Sequence, residues 1–273
     1  MNIADQTMQK EKHLEKILKN LQRPIVAFSG GLDSSYLLYK TTKAVGRENV
    51  LAVTVNSEFY QPAELEQARS FVKKLNIQHR VIFTNHLDDD KIRTNPPDRC
   101  FYCKRKAYSM LAALAAEENY DRVLDGSNQD DLADYRPGLL AVEKLGIASP
   151  LRMVGLMKEE ISSLSKKNGL ETWNSLSGSC LASRFPYGEE ITLAGLKRVR
   201  EGEMYLRNLG LKGDLRVRSH GHIARIEVTP QDASLIYTNR LKIAEKYLSI
   251  GFKYATFDLT GFCSGSMNLL LDD

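Results

Sequence analysis

Leu14, Ile17, Leu18 and Leu21 recur with i, i+3, i+4, i+7 spacing, which predicts a first helix ending before Pro24. "IVAF" (25–28) is a short apolar run of the kind that makes a buried strand, and "SSYLLYKTTKAVG" reads as the helix behind it. The alternation continues with a strand over 50–56, a helix opened by Pro62, a strand over 79–83, a helix over 100–118 and a strand over 122–126. A polar stretch, "TNHLDDDKIRTNPPDR", separates the third strand from the helix after it. The strands are near-continuously apolar, as strands covered on both faces of a parallel sheet are. The expected fold class is therefore α/β, a doubly wound parallel sheet with its site outside the carboxyl ends of the strands.

From about residue 189 the pattern changes. A helix over 192–209 leads into "LRVRSH" and "IARIEV", which flank Gly221-His222 as a hairpin. A second helix over 231–249 and a last strand, "YATFDL", complete a small α+β unit. "YLRNLGLK" (205–212) and "YLSIGFK" (247–253) echo each other as a weak internal repeat. The expected division is an α/β domain over 1–188 and a small α+β domain over 189–273, the latter for substrate binding or oligomerisation.

Composition narrows the class without naming a function. A chain of 273 residues, 42% hydrophobic and 26% charged, has an ordinary soluble composition with apolar residues enough for a proper core. Apolar runs such as "LLAV" (139–142) fall far short of the ~20 residues that span a membrane, and "MNIADQTMQKEKHLEK" has no apolar signal core, so a cytoplasmic location is expected. A net charge of +4, from 38 basic and 34 acidic residues, is too mild to argue for nucleic acid. Four cysteines are too few for a disulfide scaffold of this size. In a reducing compartment a close pair is better read as metal-binding or catalytic.

The most informative stretch is "IVAFSGGLDSS" (25–35). A strand runs into Ser29, Gly30 and Gly31, and a helix begins at Asp33, Ser34 and Ser35. Paired glycines allow a tight turn and close approach of a ligand. The hydroxyls stand beside the unpaired N–H groups of a helix start, where the dipole favours anions. Neither G-x-x-x-x-G-K-[ST] nor G-x-G-x-x-G is present, so this is not a Walker loop and dinucleotide binding has no support. The bland alternative is a plain turn with Asp33 or Ser34 as the helix cap.

"SGGLDSS" resembles the SGGxDS pyrophosphate loop of the PP-loop ATP pyrophosphatases, adenine nucleotide alpha hydrolase-like enzymes that adenylylate a carboxylate or carbonyl and release pyrophosphate. The resemblance implies that Ser29, Gly30, Gly31, Asp33, Ser34 and Ser35 hold ATP, with Asp33 near Mg2+ and the phosphates. It further implies that Ala27 and the strand around Thr54 line the adenosine pocket and that Gly126, in "LDGSNQDD", faces the nucleotide.

"DRCFYCK" (98–104) places Cys100 and Cys103 at the start of a predicted helix, on one face and roughly 5–6 Å apart at Cβ. Zinc lacks a matching second pair of ligands, and a thioredoxin-like pair would follow the first strand. With Cys180, in "SGSCLASRFPYG", three thiolates would fill three of the four corners of a [4Fe–4S] cluster. As lone thiols, Cys180 and Cys263 would read as buried and structural, and Cys263 stays outside the site.

"NSLSGSCLASRFPYGEEIT" resembles the reactive-cysteine segment of the pyridinium-3,5-biscarboxylic acid mononucleotide sulfurtransferases (LarE type), a PP-loop branch. Those enzymes serve the nickel-pincer cofactor of lactate racemase. "DGSNQDDLADYRPG", "LRVRSHGHIARIE" and "DLTGFCSGSMN" match in family order across nearly the whole chain. One family form has only the cysteine equivalent to Cys180, which gives up its own sulfur and becomes dehydroalanine. The three cysteines here resemble the form that holds a [4Fe–4S] cluster.

The resemblance makes Cys180, Cys100, Cys103, Asp33 and Glu203 catalytic. It implies substrate contacts from Arg184, Arg216 and Arg218, with Asp131 and Arg136 as weaker candidates. Arg216 and Arg218 alternate along a strand and so share a face. Guanidinium groups suit a phosphate and carboxylates by bidentate pairing. Expected partners are a pyridinium mononucleotide, a sulfide or persulfide donor and further copies of the chain, with neither membrane nor nucleic acid. The rival reading is a cluster-dependent tRNA thiolase, whose RNA-binding module is not apparent. An amidotransferase-type synthetase would need a glutaminase nucleophile, and an ATP or metal sensor needs no chemistry at all.

Overall fold

In the computed structural model, residues 3–132, 137–174, 180–263 and 265–266 are described. In chain order the elements are α1 (Ile3–Leu18), β1 (Pro24–Ala27), α2 (Leu32–Val45), β2 (Leu51–Asn56), α3 (Pro62–Leu75), β3 (Gln78–Phe83), α4 (Asp90–Arg93) and α5 (Arg99–Glu117). Then come β4 (Arg122–Leu124), α6 (Gly138–Lys144), α7 (Pro150–Met153), α8 (Lys158–Lys167), α9 (Leu193–Asn208), β5 (Leu215–His220), β6 (Ile223–Val228), α10 (Ala233–Thr238), α11 (Arg240–Ser249) and β7 (Tyr254–Phe257). Two compact units result: one from residues 1–84 and 98–178, the other from 85–97 and 179–273.

The first unit is the expected α/β layer structure. Its four strands are parallel in the order β3-β2-β1-β4. Side chains alternate between two cores because successive strand residues point to opposite faces. Val26, Phe28, Ala52 and Leu124 join Leu14, Leu18, Leu37, Phe71 and Leu164 on one side. Ile25, Leu51, Val53 and Val123 join Tyr108, Leu111 and Val142 on the other. β3, at one edge of the sheet, is the least buried of the four strands. Chain order runs outward from β1 to β3 and then returns to β4 on the opposite side of β1. The crevice for a ligand therefore opens where β1 and β4 end.

The second unit carries a three-stranded sheet, β5-β6-β7, in which β5 and β6 form the expected antiparallel hairpin and β7 runs parallel to β6. The sequence echo has a physical origin in the way α9 and α11 stop. Gly210 and Gly251 both take positive φ, +100° and +101°. The next residue is a buried hydrophobe whose N–H reaches back, Leu211 to the Leu206 carbonyl and Phe252 to the Tyr247 carbonyl. Each is a left-handed helix stop with its apolar contact. The single helix expected over 231–249 is two, because Asn239 breaks it. Its backbone leaves the helical region and its side-chain Nδ2 donates to the Leu235 carbonyl at 2.9 Å, competing with the helix ladder.

Candidate functional site

Between β1 and α2 the chain has four residues, 28–31, in which to turn, and Gly30 makes the turn possible. Its φ is +81°, and a Cβ there would lie 3.1 Å from the Ala68 Cβ and 3.2 Å from its Cα on α3. Both the backbone angle and the space require glycine. The loop is stitched by its own hydroxyls. Ser29 Oγ and Ser34 Oγ are 3.0 Å apart, the Gly31 N–H donates to Ser29 Oγ at 3.3 Å, and Ser34 Oγ donates to the Gly31 carbonyl at 3.3 Å. Tyr60 clamps the loop from outside by donating to the Ser29 carbonyl at 2.6 Å. Burial first, then the Glu64 charge, pushes the Tyr60 phenol well above its ordinary range, which keeps it a donor.

Around this loop the expected residues are unequal. Asp33 lies in the first turn of α2. Ser35 is fully buried and its hydroxyl has no hydrogen-bond partner among the described residues. Ala27 is half-buried at the end of β1. Thr54 is buried and ties strands together, donating to the Phe28 carbonyl at 2.7 Å with His79 Nε2 at 2.9 Å. Burial and then Arg69 hold His79 below the ordinary histidine range. Gly126 lies against the start of α2: a Cβ there would stand 3.1 Å from both the Cα and N of Ser34.

Asp125, just before Gly126, is a residue that sequence reasoning passed over. Its Oδ1 accepts from the Ser127 N–H at 2.8 Å and Ser149 Oγ at 3.0 Å, and Oδ2 accepts from the Tyr108 hydroxyl. Burial by itself would raise its pKa. The Lys104 charge and the bonds from Ser127 and Tyr108 outweigh burial and hold the pKa below the ordinary range. An aspartate at the carboxyl end of a strand was the available signal. Asp131 is buried and accepts from the Asn128 N–H at 3.0 Å, so it organises its own turn. Arg136 lies outside the described residues.

None of the four cysteines forms a disulfide. Cys100 is exposed and Cys103 half-buried in the first turn of α5, with Arg99 Nη2 3.5 Å from the Cys100 sulfur. Two thiols one helical turn apart at a helix N-terminus are the donor set that suits two corners of an iron–sulfur cluster. Cys180 is exposed and belongs to the second unit, where its carbonyl accepts from the Ser183 hydroxyl at 2.8 Å. Cys263 is exposed, not buried as a structural thiol would be. Among the described residues no three His, Cys, Asp or Glu side chains stand close enough to share a metal ion.

Within the second unit a buried charge array gathers the expected arginines. Arg184 is forked onto Glu203, Nε to Oε1 at 2.7 Å and Nη2 to Oε2 at 3.1 Å, and Glu203 also accepts from the Val217 N–H at 3.1 Å. Arg218 donates from Nε and Nη2 to Glu227 Oε2 at 3.0 and 2.8 Å and from Nη1 to the Ser183 carbonyl at 2.9 Å. Arg225 bridges Glu227 and Asp258, at 3.1 and 2.8 Å. The β5–β6 register sets Arg216 opposite Glu227 and Arg218 opposite Arg225, so all four share one face, as the alternation predicted. Glu227, fully buried, is the partner missed in the sequence, where it reads as one more charged residue of a hairpin.

Arg216 belongs to the same array and donates from Nη1 to the Leu215 carbonyl at 2.7 Å. It packs over the Phe262 ring at 4.9 Å, and its separation from Asp214 is 3.8 Å, long for an ion pair. Burial, and next the charge of Arg184, lower its pKa to about 10. An anion beside it would offset both.

Comparison with known proteins adds identity to this geometry. Residues 7–90, which span the loop after β1, match the NAD synthase family model. The chain is 39% identical over 261 residues to the pyridinium-3,5-bisthiocarboxylic acid mononucleotide synthase of Lactiplantibacillus plantarum, covering 95% of this chain and 94% of that one. It is likewise 39% identical over 269 residues to an uncharacterized protein of Synechocystis, covering 96% and 98%. The NH(3)-dependent NAD(+) synthetase of Pyrococcus horikoshii is 22% identical over 168 residues, 59% of this chain and 64% of that one. The α/β unit with its parallel sheet is accordingly of the PP-loop, nucleotide alpha hydrolase-like type. No helix among the described residues is long and apolar enough to cross a membrane.

Proposed function

The chain belongs to the family of the pyridinium-3,5-bisthiocarboxylic acid mononucleotide synthases, and we propose that it is an ATP-dependent sulfurtransferase acting on pyridinium-3,5-biscarboxylic acid mononucleotide. The observation that carries the reading is the Ser29–Ser34 loop: a glycine that tolerates no Cβ, hydroxyls and N–H groups at a helix start, and Gly126 pressed against it. That is a cradle for the pyrophosphate of ATP, with Asp33 placed in the first helical turn to hold Mg2+. Ala27 and Thr54 would bound the adenosine.

The chemistry follows from the electrophile. A carboxylate resists attack by sulfur, so its oxygen first attacks the α-phosphorus of ATP and the bond to pyrophosphate breaks. Sulfur then attacks the acyl carbon, AMP leaves and a thiocarboxylate results. Arg216, buried beside Arg184 and Arg218, would take a substrate phosphate or carboxylate, with those two arginines completing the basic set. Glu203 orients Arg184, and Asp131 and Arg136 would assist. Cys100, Cys103 and Cys180 would hold a [4Fe–4S] cluster, which when bound supplies sulfur. A sulfide or persulfide donor, homo-oligomeric assembly and a cytoplasmic setting belong to the same proposal.

Anaerobic purification followed by iron and acid-labile sulfide analysis tests the cluster, and a pyrophosphate-release assay with the substrate tests the activation step. Three-cysteine ligation predicts about four irons per chain, lost in Cys100→Ala. An iron-free protein in which Cys180 loses one sulfur and two hydrogens by intact mass on turnover would replace it with sacrifice of that cysteine.

A further inference from the structure

Asp125 takes no part in the steps above, yet it bonds on two sides to different elements of the first unit. On one side, its bond from the Ser127 N–H closes the turn that holds Gly126 against Ser34, where a Cβ on Gly126 would stand 3.1 Å from the Ser34 Cα and N. On the other, it accepts from Tyr108, a buried residue of α5, whose first turn bears Cys100 and Cys103. Ser149 Oγ and the Asp125 N–H, which donates to the Ala148 carbonyl at 2.8 Å, fix the carboxylate from a third direction. The Lys104 charge that acts on Asp125 is the next residue after Cys103. A helix moves as one body, so a shift of the loop that presses on Gly126 reaches the cysteine turn through a single carboxylate.

We propose that Asp125 is a positioning residue that couples nucleotide occupancy of the Ser29–Ser34 loop to the accessibility of Cys100 and Cys103, acting through Tyr108. The inference rests on the ATP reading of the loop. Its physical content is that a pyrophosphate drawn onto the start of α2 shifts Ser34 and with it Gly126, because the two backbones lie too close for a side chain to fit between them without a shift. Asp125 then carries the displacement into α5, because both ends of its hydrogen-bond network are buried and satisfied.

The test uses the full-length protein, reduced and freed of metal by a chelator. The alkylation rates of Cys100 and Cys103 by iodoacetamide are read by peptide mass, with and without saturating Mg2+ and a non-hydrolysable ATP analogue, whose binding is measured separately by calorimetry. The expected result is a change in rate of about fivefold in the wild type, the lower end of ordinary coupling between sites. Asp125→Asn and Tyr108→Phe should abolish that change while still binding the analogue. Leu164→Ala, in the core on the opposite sheet face, should loosen the fold and keep it. A wild type that binds the analogue without any change in rate, or an Asp125→Asn or Tyr108→Phe protein that keeps the change, overturns the coupling alone. Loss of the change in Leu164→Ala as well would assign it to general loosening and overturn the positioning role. A wild type that binds no analogue overturns the ATP reading and the coupling together.

Discussion

The loop after β1 and the charged face of β5–β6 both place polar groups in protected surroundings, and they satisfy them by opposite means. The loop uses neutral groups close in sequence: Ser29, Gly31 and Ser34 bond one another across at most five residues. The second unit uses full charges farther apart in sequence, Arg184 with Glu203 and Arg218 with Glu227. A neutral loop leaves N–H donors for an incoming anion and asks little of the rest of the fold. A buried charge array is costly to desolvate and holds only while every partner stays in place. The turn of the loop is held by hydroxyls and backbone groups alone, whereas the second region is already charged and balanced by internal pairing.

The largest effect should come from breaking that balance. Glu203→Ala leaves the Arg184 guanidinium buried without its carboxylate and should cost about 3–5 kcal/mol in urea unfolding. Arg184→Met/Glu203→Leu, which removes both charges, should recover most of that loss, and failure to recover would mean that the pair does more than neutralise itself. Next in size is the loop. Gly30→Ala forces a side chain into the left-handed region and against Ala68, and about 1–3 kcal/mol of strain is expected, read both as a lower melting temperature and as weaker ATP binding. Gly126→Ala, at an ordinary φ, should weaken ATP binding with a smaller loss of stability, since only its contact with Ser34 is affected.

Acid should distinguish the two regions in a third way. Asp125 has its native pKa held below the ordinary range, so the unfolded chain binds a proton first as pH falls. The stability it contributes is complete above about pH 5, where an unfolded aspartate is almost fully ionised, and is lost as pH falls through the lower native value. Asp125→Asn should flatten that acid limb in a series of unfolding midpoints below pH 5. The smallest effect is expected at the exposed pair Lys74–Glu171. Lys74→Ala should change stability by less than about 1 kcal/mol, a reference against which the buried pairs are judged.

Legibility followed the range of the interactions. The strand–loop–helix unit was readable because its apolar run, glycines and serines are neighbours whose chemistry is local. The break at Asn239 was not, since an asparagine in an otherwise helical pattern shows its competing bond to the Leu235 carbonyl only once the backbone is in place. Arg184, Arg216, Arg218 and Glu203 came into view through resemblance, whereas Asp125 had only its place at a strand end to mark it and Tyr60 and Glu227 carried no signal beyond residue type.

By itself the sequence determined the period of each element, the parallel α/β layer, the place of the glycine loop and the spacing of the cysteine pair, because all of these depend on residues a few positions apart. Only the tertiary structure decided which charges are buried together, that Ser35 faces the interior, that 85–97 joins the second unit, and that one carboxylate spans Gly126 and α5. Those outcomes depend on pairing across 9 to 97 residues of chain, as in Arg218 with Glu227 and Arg93 with Glu190. A pattern read along the chain has no term for such partners until folding brings them together.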